Sequence, residues 1–258
     1  LVETGAQEIM LLGQNVNCWY CEGDRMDLGD LIRSIAKIDG VKRIRYTTSY
    51  PSKITRNLIA AHADTPKLMP YIHLPIQAGS DKILRAMNRK YSVAEYEDIV
   101  AAFRAARPDI AVSSDFIVGF PGETDADFEQ TMDLARRVRY ASSFSFKFSA
   151  RPGTPASLMK NQIPEAVKAE RLKKLQALLL AQQKAFNQSC VGKETEVLLA
   201  ESGKKPGQLI GYSPHMQGTI VRAPKKALNT IVRVKITQAS ATALTGSLIQ
   251  TRPTKKET

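Results

Sequence analysis

Three amides stand close together at Gln14, Asn15 and Asn17, directly after the apolar run Glu8–Gly13. A short apolar run after a Gly-containing turn reads as a buried strand. The amides therefore sit at the C-terminal end of a strand. They donate and accept hydrogen bonds without carrying charge, which suits a nucleobase, an amino-acid carboxylate or a neutral polar ligand. Plain turn chemistry would use the same residue types. A second group follows Tyr71–Gln77, where Gln77 and Ser80 flank an Ala78-Gly79 turn and could hold a ribose hydroxyl or a carboxylate. Ser80 is also placed to cap the next helix. His73, a lone histidine in that run, reads as a core residue. A third group is Ser113–Thr124, a strand ending in Gly119-Phe120-Pro121-Gly122. Gly119 and Gly122 let backbone approach a ligand, and Thr124 with Asp127 forms a capping box at a helix start that offers free N–H groups. Cys18-Trp19-Tyr20-Cys21 is a CxxC, but one pair cannot fill a zinc or iron–sulfur site and no nearby histidine completes it. Its plainer reading is a loop with two incidental thiols, and no metal ligand is assigned.

The elements that must position these residues form a repeating pattern. Strands at Glu8–Gly13, Val41–Ser49, Tyr71–Gln77, Ile110–Val118 and Ser143–Ser149 alternate with helices at Leu28–Ile38, Thr55–Ala63, Ser80–Met87, Val93–Ala106 and Asp125–Val138. That is a repeated βα unit, either a barrel or an open doubly wound sheet. Ligands bind at the C-terminal strand ends of both. Pro164–Gln188 reads as a connecting helix. Five short segments follow, at Glu194–Ala200, Gln208–Tyr212, Gly218–Val221, Ile231–Thr237 and Thr245–Ile249. Their spacing, with Gly, Pro and Lys turns, fits a small all-β barrel.

Charge divides the chain in the same place. Residues 160–258 hold 17 Lys+Arg against 6 Asp+Glu, whereas residues 1–159 hold 20 against 19. A neutral body and a basic appendage point to a polyanionic partner, nucleic acid before a merely soluble surface. No run of eighteen apolar residues is present, so no membrane span is expected. Three cysteines in 258 residues exclude a disulfide scaffold and fit a reducing cytoplasm. The chain opens on Leu1, and Leu1–Ala6 reads as the end of a helix, so a fragment of a longer protein is expected.

Leu11-Leu12-Gly13-Gln14-Asn15-Val16-Asn17, His73–Asp81, Met87-Asn88-Arg89, Val118–Thr124 and Arg151-Pro152-Gly153-Thr154-Pro155-Ala156 together resemble the radical S-adenosylmethionine methylthiotransferases, most closely the MiaB type that acts on tRNA. The stretch from about Lys193 to Ile249 is similar to the TRAM domain, an RNA-binding β-barrel. The resemblance implies a partial radical-SAM (βα) barrel over 1–163, a connecting helix over 164–188, a TRAM barrel over 189–250 and a basic tail over 251–258. It implies an enzyme that adds a methylthio group to C2 of N6-isopentenyladenosine beside the anticodon. S-adenosylmethionine and two [4Fe–4S] clusters would be its cofactors, tRNA its partner, and the parent enzyme would be a cytoplasmic monomer. One cluster sits on a CxxxCxxC loop in such enzymes and the other on three cysteines of an N-terminal domain. Neither set occurs here, so the chain alone is expected to be inactive. By the same analogy Gln14, Asn15, Ser49, Gln77, Ser80, Asp115 and Gly119 would line the S-adenosylmethionine or substrate pocket. Arg151 would hold a carboxylate or phosphate in bidentate fashion. Lys193, Lys204, Lys205, Arg222, Lys225, Lys226, Arg233 and Lys235 would meet RNA phosphates. Two alternatives remain open: a RimO-type enzyme acting on a ribosomal protein, and an RNA-binding module without catalysis.

Overall fold

The computed structural model describes residues 1–47 and 49–249; the expected basic tail at 251–258 lies outside the described residues. Two compact units divide inside one long helix, the first spanning Leu1–Gln182 and the second beginning at Gln183.

The first unit runs β1 (Glu8–Leu11), β2 (Tyr20–Cys21), β3 (Met26–Asp27), α1 (Leu28–Ala36), β4 (Arg43–Tyr46), α2 (Arg56–Asp64), β5 (Tyr71–His73), α3 (Asp81–Ala86), α4 (Val93–Ala106), β6 (Ala111–Val118), α5 (Asp125–Val138) and β7 (Ser142–Lys147). The long helix α6 (Glu165–Gln188) follows. Helix starts are fixed by their caps. Asp27 with Asp30, Ser92 with Glu95, and Thr124 with Asp127 each complete a capping box, and the last is the one read from the sequence. Strand β1 pairs in parallel with β4, and β5, β6 and β7 form a parallel three-stranded sheet. Between these pieces run an Ile44–Leu68 bridge and a 3.4 Å bond from Ser49 N–H to the His73 carbonyl.

The chemistry of the two strand faces, apolar toward the helices and mostly polar on the other, separates the two expected architectures, although both faces of β4 are buried. Ile44 and Tyr46 of β4, Ile72 of β5 and Phe116 and Val118 of β6 are buried in the layer shared with the helices. The opposite face of β7 leaves Phe144 and Phe146 more than half exposed. Helices thus cover one face, as in part of a barrel and unlike a doubly wound sheet. His62 of α2 is buried in the helical layer, with Nε2 2.7 Å from the Tyr46 hydroxyl.

Strand β5 stops at His73, short of the expected Gln77, because Pro75 has no N–H for the ladder. The chain rejoins the sheet at Gln77, which bridges Phe116. A two-stranded hairpin, β2 with β3, was not anticipated; it carries Cys21.

The second unit holds β8 (Glu194–Ser202), β9 (Gln208–Tyr212), β10 (Gly218–Arg222), β11 (Ile231–Ala239) and β12 (Leu244–Leu248), closed into a barrel in the order β10-β12-β11-β8-β9. Val197, Leu199, Leu209, Val221, Val234, Ile236 and Leu244 fill it. Closure removes sheet edges, and Gly211 permits the tight corner: a Cβ there would lie 2.0 Å from the Leu198 carbonyl oxygen. No described helix is long and apolar enough to cross a membrane.

Candidate active site and nucleic-acid interface

Side chains alternate across a strand, so Glu8 and Met10 of β1, Arg43 and Arg45 of β4, Tyr71 and His73 of β5, and Ser113, Asp115 and Ile117 of β6 share the face not covered by helices. At its lower end Arg45 Nε lies 3.0 Å and Arg43 3.9 Å from the Glu8 carboxylate. Burial raises the pKa of Tyr71, with Ser113 and Ser142 acting against the rise. Higher up, His73 Nδ1 lies 3.0 Å from Ser113 Oγ and its Nε2 3.5 Å from Asp115 Oδ2. His73 is therefore not the core residue expected. Strand register turns it to the open face, between a hydroxyl and a carboxylate.

The mouth is built from the loops after the strands. Ser49, 3% exposed, leaves its Oγ without a hydrogen-bond partner among the described residues. Gln77 takes φ +80°, a left-handed backbone that costs a residue with a side chain on the order of 1 kcal/mol. Its N–H donates to the Asp115 carbonyl. Direct bonds thus string Ser49, His73, Asp115 and Gln77 together. Arg151 is exposed and lines a cavity of about 520 Å³ with Ile117, Phe146, Phe148 and Thr154.

The other expected site residues lie elsewhere. Gln14 and Asn15 are exposed on the loop after β1. Gly119 donates its N–H to Glu123 at 2.7 Å, and a Cβ there would lie 2.3 Å from the Lys168 stem, so its missing side chain already has a structural cause. Ser80 does not cap α3 with its side chain as expected. Its hydroxyl donates to Asp127 at 2.7 Å, which Lys82 and Thr124 also reach. Those donors outweigh the opposing burial and hold Asp127 well below the usual carboxylate range. Sequence reasoning missed Glu8, Arg43, Arg45, Tyr71 and Ser113, which two-residue alternation would have placed on one face. Asn17, one of the three amides read from the sequence, is buried and not open to a ligand. Asn17 makes two bonds to the Tyr50 backbone, which no local pattern foretells.

On the second unit all eight expected RNA-contacting cations are exposed, in two groups. Lys204 and Lys205, from the β8–β9 loop, and Lys225 line a cavity of about 320 Å³ that includes no acidic residue. Lys226 is adjacent in the chain, and Arg222 lies opposite Gln208 in the ladder. Lys193, Arg233 and Lys235 stand by acidic neighbours. Arg233 pairs with Glu194 at 2.8 Å, and Lys235 and Arg233 lie opposite Glu194 and Glu196. The loop group carries the unbalanced charge.

The Radical SAM superfamily matches residues 1–135, more than half of the chain. The chain belongs to the radical SAM superfamily. The TRAM domain matches residues 188–249, the β-barrel unit. Two relatives carry the name tRNA-2-methylthio-N(6)-dimethylallyladenosine synthase. The protein of Sphingopyxis alaskensis is 55% identical over 247 residues, covering 95% of this chain and 56% of the relative. That of Rickettsia rickettsii is 53% identical over 253 residues, covering 96% and 57%. The chain spans a little over half the length of these relatives. Coproporphyrinogen III oxidase of Escherichia coli aligns over 95% of this chain and 72% of its own, with a TM-score of 0.44 and 10% identity.

Membership implies S-adenosylmethionine and iron–sulfur chemistry, and the residues fit the two differently. The cavity at the ends of β6 and β7 offers an apolar wall at Ile117, Phe146 and Phe148 and a cation at Arg151; Ser49, which does not line that cavity, keeps a buried hydroxyl without a hydrogen-bond partner among the described residues. That donor set suits an adenosyl group joined to an amino-acid carboxylate. A [4Fe–4S] cluster takes cysteine thiolates. The chain's cysteines are Cys18, Cys21 and Cys190, and no group of three His, Cys, Asp or Glu able to hold a metal gathers among the described residues. Those residues do not fit a cluster.

Proposed function

We propose that this chain is the substrate-binding and RNA-binding part of a tRNA methylthiotransferase. The whole protein would add a methylthio group to C2 of N6-isopentenyladenosine beside the anticodon, as a cytoplasmic monomer. The identity of 53–55% to two proteins of that name carries the reading. The two [4Fe–4S] clusters would take their ligands from length that the relatives have and this chain does not span; isolated, the chain is inactive. S-adenosylmethionine, when bound, supplies the radical that such chemistry needs.

The chain's own residues bind, orient and exclude water. Ser49 Oγ and the Gln77 amide hold the polar parts of S-adenosylmethionine, and Arg151 takes its carboxylate. Ile117, Phe146 and Phe148 keep water from the cavity between them. His73, fixed by Ser113 and Asp115, presents a polar edge to the open face. The loop lysines of the barrel hold RNA phosphates, which fixes the RNA without selecting its sequence.

Calorimetric titration of the chain with S-adenosylmethionine tests the pocket: Arg151→Ala should weaken binding about 10- to 100-fold. The longer protein, made anaerobically and given under-modified tRNA, tests the activity by mass spectrometry of tRNA nucleosides. Bound tRNA without a methylthiolated product would defeat the proposal.

A further inference from the structure

Trp19 and Tyr20 are neighbours, and both rings are exposed, at 38% and 55%. Trp19 is the chain's single tryptophan. Large aromatic rings are more often covered than displayed, and a displayed pair marks a contact surface.

Their exposure is not the result of a loose loop. Val16 and Asn17 beneath them are buried. The Asn17 amide donates to the Tyr50 carbonyl at 2.9 Å and accepts from the Tyr50 N–H at 2.7 Å. Trp19 N–H reaches the Val16 carbonyl at 3.1 Å, and Cys18 N–H reaches that of Asn15 at 2.9 Å. On the far side, Tyr20 pairs with Asp27 in the hairpin. Asp27 in turn accepts from Gly29, Asp30, Thr55 and Asn57. Both ends of the loop are tied into the unit, so a ligand meeting the rings has little ordering left to impose.

We propose that this loop is a stacking platform for an unpaired base of the RNA, with Trp19 and Tyr20 giving ring faces and Gln14 and Asn15 giving amides. The proposal rests on the tRNA reading above. The loop follows β1 in a parallel sheet, so it lies at the strand ends that also carry Ser49 and Gln77. Every base has a π-face that stacks on an aromatic ring. The exposed amides donate and accept, as base edges require. In the hairpin turn Glu22 and Asp24 outnumber Arg25, which leaves the loop net acidic and a poor grip for phosphate, so its contact is with a base and not with the backbone. The paired cysteines need no metal in this account; they flank the two rings.

Trp19 reports on its own contact. A labelled anticodon stem–loop RNA is titrated into the chain while anisotropy follows total binding and tryptophan emission follows Trp19. Emission should be quenched with the same midpoint as the anisotropy change. Trp19→Phe keeps a π-face and should bind within a few-fold of the parent. Trp19→Ala and Trp19→Leu should both bind roughly 5- to 100-fold more weakly, with the salt slope unchanged, because no phosphate contact is removed. Binding seen by anisotropy without a change in Trp19 emission overturns the platform and leaves the RNA reading standing. Trp19→Leu binding like the parent also overturns it, since apolar bulk alone would then suffice. No binding by anisotropy removes the RNA reading and the platform with it.

Discussion

Replacing Arg171 with methionine should destabilise the first unit severely, because it strands a buried charge. Arg171 and Glu123 are a buried pair, with side chains 8% and 1% exposed and 2.7 Å between Nη1 and Oε2. Arg171 also donates to the Glu123 carbonyl at 3.1 Å and to Asp125 at 2.7 Å. The Asp125 carboxylate is almost fully exposed, so that arm adds little. Arg171→Met leaves the Glu123 charge buried without its partner, a loss of about 3–5 kcal/mol. The sign with pH follows from Glu123. Burial raises its pKa, against the Gly119 N–H and Arg171, which lower it. A carboxyl raised in the folded state stabilises below its unfolded pKa, and that contribution is lost as pH rises through the folded value. Without Arg171 the folded value moves further up, so the variant's deficit should be largest at pH 7 and shrink on acidification toward the unfolded carboxyl range. Glu123→Gln combined with Arg171→Met should recover much of the loss, because the Gln carbonyl can still accept from Gly119. Urea unfolding followed by Trp19 emission is the assay, since the only tryptophan lies in the first unit and reports it alone. A loss below about 1 kcal/mol at pH 7, or an equal loss at low and neutral pH, would refute the reasoning.

Lys225→Ala with Lys226→Ala should weaken tRNA binding whatever the tRNA and reduce the log–log salt slope by up to about two units; unchanged slope and affinity would make these lysines a solvated face only. His62 is held down to about 3, by burial first and the Arg107 charge second. Its folded pKa lies below its unfolded value, so its contribution is present above about pH 6.5 and is lost as pH falls toward about 3. NMR of the His62 ring should show no protonation between pH 8 and about pH 5; a midpoint near 6.5 would contradict the burial argument.

What sequence alone determined in this protein is mostly local. A helix start is legible where capping depends on residues three apart: Thr124 with Asp127 was read from the sequence and stands in the structure, whereas the Ser92–Glu95 box went unread. Helices α4 and α5 have the expected ends, and the strands of the small barrel fall where their turns put them, within a few residues. The in-order motifs from Leu11 to Ala156 were enough to name the family. Position across a sheet was not legible. His73 looked like any apolar-run histidine until parallel pairing set it beside Ser113 and Asp115, forty residues away. Ser80 looked like a cap until α5 brought Asp127 to its hydroxyl. Gly119 looked like a ligand glycine until α6 laid Lys168 against it. Among the eight cations, only strand register separated Arg233 and its Glu194 from the unbalanced lysines at the loops. Capping and periodicity act over one turn or one strand, and the sequence carries them directly. Which side chain meets which across a sheet depends on register between distant segments, and register exists only once the strands have paired.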